Sequence, residues 1–133
     1  MNIKKAYLGI KFYVDHRNRA KIEAISGTLA QVGYATTCIT RDVEKWGQHK
    51  FSPQELMAHT FNVIAASDLA IIDLSEKGVG LGIEAGYAFA RGIPLVTIAQ
   101  ANADISTTLR GISQSVFLYN HFDDLIPFWK TIN

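Results

Sequence analysis

A single cysteine, Cys38, is all the thiol this 133-residue chain carries. That excludes an intrachain disulfide framework and fits a reducing compartment. Cys38 stands in an apolar run, where a buried, inert thiol is the expected state. An excess of one charge is missing too: 13 Lys and Arg against 12 Asp and Glu leave a formal net charge of +1. No basic stripe stands out, so polymeric nucleic acid is not an expected partner. No apolar stretch is long enough to cross a membrane, and none at the N-terminus reads as a signal peptide. A cytoplasmic protein without a membrane partner is therefore the expectation. Repeats, low-complexity tracts and linkers are absent, and the length suits one domain over residues 1–133. His16, His49, His59 and His121 lack zinc-ligand spacing, so neither a metal nor another cofactor is expected. The glycine-rich stretch near residue 80 lacks the lysine-serine/threonine ending of a Walker motif. Nor does an acidic residue close a dinucleotide fingerprint there.

What is present is an alternation of short apolar runs and helical stretches. Ala6–Ile10 reads as the first strand, followed by a polar loop, Lys11–His16. A helix from about Arg17 to Val32 carries Ala20, Ile22, Ala24, Ile25, Leu29 and Val32 at helical spacing, and Gly33 closes it. Tyr34–Ile39 reads as strand two, and Thr40–Phe51 as a mobile polar loop over the site edge. Ser52-Pro53-Gln54-Glu55 opens the next helix with an N-cap, a first-position proline and a capping box. That helix ends near Ala66. Leu69–Asp73, Leu95–Ala99 and Ser115–Tyr119 read as strands three to five, and Phe122–Ile132 as a closing helix. Strands alternating with helices imply an α/β fold with a doubly wound five-stranded parallel sheet, most simply in the flavodoxin-like order 2-1-3-4-5. Right-handed crossovers then bring Lys11–Arg19, Ser75–Glu84 and Gln100–Arg110 around one pocket.

The densest signal runs from Ser67 to Val96. There an apolar strand ending in Asp73 leads into a loop with Gly78, Gly80 and Gly82, and then a helix with Glu84 in its first turn. Glycines let backbone approach a ligand, and a helix N-terminus offers free N–H groups to an anion. Glu84 at the carboxyl edge of the sheet is thus a candidate catalytic residue; the plainer role is to complement the helix dipole. Asp73 invites comparison with a phosphoaccepting receiver domain. That site needs acids directly after strand one, and Ile10-Lys11-Phe12 supplies none before Asp15, so Asp73 is expected to orient its loop. Arg17 and Arg19 are either phosphate ligands or a solvated helix face. Trp46 either stacks on a base or packs its loop down, and packing is preferred.

Three segments together resemble the nucleoside 2-deoxyribosyltransferase family. Tyr7-Leu8-Gly9-Ile10-Lys11-Phe12 is similar to its tyrosine-led strand and loop. Asp68–Tyr87, with Gly80, Gly82, Ile83, Glu84, Ala85, Gly86, Tyr87 and Ala88 in place, resembles its catalytic segment. Ser106–Gly111 resembles a serine-led stretch of the nucleotide N-hydrolase branch, where the serine helps hold a 5′-phosphate in a neighbouring subunit's site. The resemblance implies hydrolysis of the N-glycosidic bond of a nucleoside 5′-monophosphate, with Glu84 as nucleophile and Tyr7 orienting it. It implies substrate contacts from Gly9, Lys11, Phe12, Arg17, Arg19, Thr60, Ser75, Gly78, Gly80, Gly82 and Ser106. It also implies a homodimer, or a larger homo-oligomer, with shared sites. Deoxyribosyl transfer between bases, and nucleotide binding without catalysis, stay open as alternatives. Two departures stand out. The family's helical aspartate falls on Thr60, flanked by His59, and a threonine is no general acid at neutral pH. Lys77-Gly78 replaces the acid that precedes the glycine turn in the transferase branch, which favours hydrolysis.

Overall fold

The computed structural model describes residues 3–132. Its strands are β1 (Lys4–Ile10), β2 (Tyr34–Thr37), β3 (Leu69–Asp73), β4 (Leu95–Gln100) and β5 (Ser115–Tyr119). They form one parallel sheet in the order β2-β1-β3-β4-β5, as expected. The helices are α1 (Arg19–Ala30), α2 (Pro53–Ala65), α3 (Val79–Ala90), α4 (Thr107–Ile112) and α5 (Leu125–Thr131), the last preceded by a 3₁₀ turn at Phe122–Asp124.

Side-chain alternation along the strands splits the interior in two. Ala6 and Leu8 of β1 and Ile71 of β3 face one layer, where Ile22, Ile25 and Leu29 of α1 meet Leu125 and Trp129 of α5. Tyr7 of β1 and Ala70 and Ile72 of β3 face the other, packed with Ile64 of α2, Leu81, Ala85 and Ala88 of α3, and Leu109 of α4. Residue parity thus decides which layer a strand residue serves, and Tyr7 and Gly9 belong to the α2–α3 layer.

The α2 start is as the sequence indicates. Ser52 Oγ accepts from Glu55 N at 3.1 Å, and Glu55 Oε1 accepts from Ser52 N at 2.9 Å, behind Pro53. Other segments differ. Helix α1 begins at Arg19 rather than Arg17, because Asp15 takes the Arg17 N–H and guanidinium and holds that residue in a turn. Strand β2 stops at Thr37. A wide helical turn, Ile39–Val43, follows because the Asp42 carboxylate accepts from Cys38 N at 2.8 Å. What reads as a mobile loop over residues 40–51 is therefore tied down. Trp46 packs on His16 and beneath the Arg19 guanidinium, as packing rather than base stacking requires. Helix α4, within the serine-led stretch, has no counterpart in the sequence reading.

Trp129 is fully buried and donates its indole N–H to Thr28 Oγ1 at 2.9 Å. Thr28→Val keeps the shape but strands that N–H, so chemical denaturation should show a loss of about 1–3 kcal/mol.

Candidate active site

The two face-sharing elements, β1 and α3, converge on one contact. Tyr7 Oη donates to Glu84 Oε1 at 2.6 Å, across 77 residues of sequence. Tyr7 is only 2% exposed, fixed by its strand and the α2–α3 layer. Glu84 is not in the first turn of its helix, as the sequence reading had it. The helix starts at Val79 from an extended Gly78, which leaves Glu84 in the second turn and no acidic residue in the first. Gly80 and Gly82 are helical despite their cost, because Leu81, Ala85 and Ala88 recur at i, i+4 and i+7 and bury that stripe. The dipole-complementing role thus falls away, and the Glu84 carboxyl is held inward.

Burial pushes the Glu84 carboxyl up to about 7, while the Tyr7 hydrogen bond works to lower it. Burial, then the Glu84 charge, raises the Tyr7 phenol well above its usual range, so Tyr7 stays a donor. Space around the carboxylate is closed by backbone. A Cβ on Gly9 would lie 2.5 Å from Glu84 Oε1 and 2.8 Å from Ile72 Cδ1, so no side chain fits there. A Cβ on Gly80 would reach 3.5 Å from Glu84 Oε2, an ordinary contact.

The pair opens into a cavity of about 400 Å³. Gly9, Phe12, Thr60 and Gly80 line it together with Leu56, Met57 and Ile39. Thr60 is buried and spends its hydroxyl proton on Leu56 O at 2.9 Å. His59, one position away, turns its ring onto Phe51. A smaller groove of about 240 Å³ runs from Glu84 over Gly78, Val79 and Gly80 to Lys11, past the N-terminus of α3.

The three loops do meet, as expected, around one groove lined by Lys11, Lys77, Gly78, Ser106 and Thr108, but Glu84 opens into neighbouring cavities rather than that one. Arg17 and Ser75 belong to a separate cavity of about 210 Å³ with Asp73 and Lys21. Arg17 is paired with Asp15 at 3.1 Å. Ser75 Oγ accepts from Gln100 N at 2.9 Å and so ties two loops together. Arg19 lies over Trp46 and lines none of these cavities. Ser106 and Gly82 line the three-loop groove, together with Lys11, Gly78 and Val79. There Ser106 Oγ caps α4 by accepting from Leu109 N. Asp73 is 1% exposed, on the opposite face of the sheet from Tyr7. It accepts from Tyr119 Oη at 2.7 Å and from Ser75 N at 2.8 Å, so it orients its loop, as expected. Burial pushes the Cys38 thiol up to about 12, consistent with an inert group. Among the described residues no cluster of three or more His, Cys, Asp or Glu is placed to hold a metal, and no helix is long and apolar enough to cross a membrane.

One carboxylate went unnoticed in the sequence. Glu44 lines the 400 Å³ cavity with Glu84, and burial raises its carboxyl above the usual range while His16 acts to lower it. Nothing local marks it, since it reaches the cavity only because the turn after β2 folds back.

The raised Glu84 carboxyl has a consequence for stability. Below about pH 4.5 the group is protonated folded or unfolded. As pH rises, only the unfolded chain ionises it until about pH 7, so the fold bears a penalty that is complete above that value. Glu84→Gln keeps an acceptor for Tyr7 and removes the penalty. Thermal denaturation at pH 8 should therefore show the variant more stable by up to ~3 kcal/mol, a gain that vanishes towards pH 4.5.

No family model matches the chain. A curated relative from Thermofilum pendens, named Putative 2'-deoxynucleoside 5'-phosphate N-hydrolase 1, is 24% identical over 130 residues and covers 91% of this chain and 87% of its own. The solved CMP N-glycosidase BcmB of Clostridium botulinum superposes with a TM-score of 0.69 at 18% identity, covering 96% of this chain and 99% of that one. A 2-deoxyribosyltransferase of Bacillus psychrosaccharolyticus gives 0.72 at 12% identity, covering 92% and 90%. At such identities the solved structures speak for the fold. The resemblance to the nucleoside 2-deoxyribosyltransferase family, carried in the sequence by Tyr7–Phe12, Asp68–Tyr87 and Ser106–Gly111, is thus met by a curated N-hydrolase along 91% of the chain, and the solved neighbours share the fold.

Proposed function

We propose that this protein is an enzyme that hydrolyses the N-glycosidic bond of a nucleoside 5′-monophosphate. The observation that carries the reading is the buried Glu84 carboxyl, hydrogen-bonded by Tyr7 at 2.6 Å at the wall of a ligand-sized cavity. In the proposed reaction the Glu84 carboxylate attacks C1′, and the C1′–N bond breaks with its electron pair passing to the base. Water then displaces Glu84 from the glycosyl-enzyme, giving free base and sugar phosphate. Tyr7 aims one carboxylate oxygen and leaves the other for C1′. Gly9, Phe12, Thr60 and Gly80 would contact sugar and base. Lys11, Gly78 and the first-turn N–H groups of α3 would receive the phosphate, since a helix N-terminus favours an anion. Arg17, Arg19 and Ser75 are not used in this scheme: Arg17 and Ser75 line a neighbouring cavity, and Arg19 lies over Trp46. Lys77 standing before Gly78, where the transferase branch has an acid, favours hydrolysis over transfer.

Base release from a panel of 5′-monophosphates and nucleosides tests this. Glu84→Gln should abolish release. Monophosphates should outrun the matching nucleosides by at least roughly tenfold, about 1.4 kcal/mol. The rate should rise with pH through about 7 as Glu84 ionises. Equal rates for nucleosides, with a second base trapping the sugar, would instead identify a transferase. Nucleotide binding without base release would identify a binding protein.

The assembly we propose is a homodimer with shared sites. Helix α3 is apolar on every side, and its outer face shows Val79, Ile83 and Phe89 at 85%, 48% and 57% exposure, with Gly82 and Gly86 between them. A helix apolar all round is ordinarily covered. Ser106 lies outside its own chain's Glu84 cavity, in a groove that shares Lys11, Gly78 and Val79 with the phosphate path, and the family resemblance implies that its phosphate contact is made in a neighbouring subunit's site. Light scattering should give a dimer or larger at micromolar concentration. Mixing inactive Glu84→Gln and Ser106→Ala chains should restore part of the activity; a monomer, or no recovery, counts against shared sites.

A further inference from the structure

We propose that Glu44 is the general acid that protonates the departing base, in place of the aspartate that Thr60 displaces. The inference rests on the glycosidase reading above. It comes from elimination inside the 400 Å³ cavity, where the titratable side chains are Tyr7, Cys38, Glu44 and Glu84. The Tyr7 proton is committed to Glu84, and Glu84 is required as the carboxylate. Cys38 is too weak an acid to deliver a proton, and the Thr60 hydroxyl is turned back onto Leu56 O. Glu44 is the remaining carboxyl in that lining, and so the group placed to carry a proton to the base.

Its position is built rather than incidental. Glu44 N donates to Ile39 O at 2.9 Å, and Glu44 O accepts from Gly47 N at 3.0 Å and His49 N at 2.9 Å. Lys45, Trp46 and Gly47 all take positive φ (50, 57 and 90°) to reverse the chain directly after it. Two consecutive non-glycine residues in that region carry a conformational cost. The cost is met by the anchoring of Trp46 beneath Arg19 and against His16. Among the described residues the Glu44 carboxyl has neither a hydrogen bond nor a salt bridge, so it is free for a ligand. The groups facing it are Glu84 and Tyr7 across the cavity, Cys38 beneath, His16 from the loop after β1, and His49 and Lys50 from its own loop.

The step balances without a further reactant. As Glu84 attacks C1′, the electron pair of the C1′–N bond passes to the base, and the Glu44 carboxyl gives its proton to a ring nitrogen or carbonyl oxygen there. The Glu44 carboxylate then takes a proton from the water that attacks C1′, and Glu84 leaves as carboxylate. Both groups end as they began.

The test uses the best-cleaved 5′-monophosphate of the panel and the 4-nitrophenyl glycoside of the same sugar phosphate, whose leaving group departs without a proton. Glu44→Gln should lower kcat on the nucleotide by about 10²–10⁴-fold, with KM moving much less. The 4-nitrophenyl substrate should react within about threefold of wild type. Adding Thr60→Asp to Glu44→Gln should return part of the nucleotide rate. Equal losses on both substrates would mean a structural role and overturn the proposal, as would an unchanged nucleotide rate. Glu84→Gln should abolish both reactions. If it does not, the glycosidase reading fails by itself, whatever Glu44 does; a wild type that cleaves nothing on the panel overturns both.

Discussion

The buried hydrogen bond between Tyr7 and Glu84 is the constraint around which the rest of the site is shaped. A carboxylate removed from water is costly unless it is hydrogen-bonded. Here a single phenol offsets the cost only partly, which is why burial still holds the group near pH 7. The arrangement needs β1 and α3 in fixed register, because its two ends lie 77 residues apart. It also needs backbone without a side chain at Gly9, directly beneath the carboxylate. In the proposed reaction, preorganisation of this kind would favour attack over rest: the carboxylate is incompletely solvated beforehand, and its charge would disperse as a bond to carbon forms.

Strand parity divides labour between the two sheet faces. Tyr7 and Gly9 serve the face with the cavity, while Asp73 turns the other way to Tyr119 and Ser75. Two acidic side chains at the same carboxyl edge of the sheet thus have unrelated tasks. Asp73 is satisfied by its neighbours and stiffens the loop that leads to α3. Glu84 is left under-satisfied, and reactive groups are commonly found in that condition.

How much of this was legible follows from what each signal depends on. The strand order and the α2 cap were readable because alternation, Pro53 and Ser52 are local features. Tyr7, Gly9, Thr60, Gly80 and Glu84 were readable as a group because the family resemblance fixes their spacing, and the structure gathers all five around one cavity. The α3 start was misplaced because glycine is a poor interior helix residue, and only the buried stripe Leu81, Ala85 and Ala88 overrides it. For Arg17 and Arg19 the sequence left a phosphate ligand and a solvated helix face open, because their charge was visible while their neighbours, Asp15 and Trp46, were not. Glu44 was illegible for a different reason. Its place depends on a reversal through positive-φ residues, two of which, Lys45 and Trp46, give no sequence hint of that backbone.

The cavities around Lys11 also bear on specificity. The chamber next to Glu84 is walled by Ile39, Leu56 and Met57, with Phe12 half-exposed at its mouth, so it suits a flat, weakly polar ring better than a charged group. The groove past Gly78 and Val79 has the opposite character, with the Lys11 ammonium and a helix N-terminus. A ligand spanning both would place an apolar, aromatic end and an anionic end on either side of Glu84, and a base and a phosphate flanking C1′ have that order. Lys11 already donates to Lys77 O at 3.0 Å, so it is held at the junction before any ligand arrives. Less side-chain entropy is then lost on binding than a free surface lysine would lose. In the proposed scheme, discrimination for a phosphate would thus rest on one preplaced cation and backbone N–H groups.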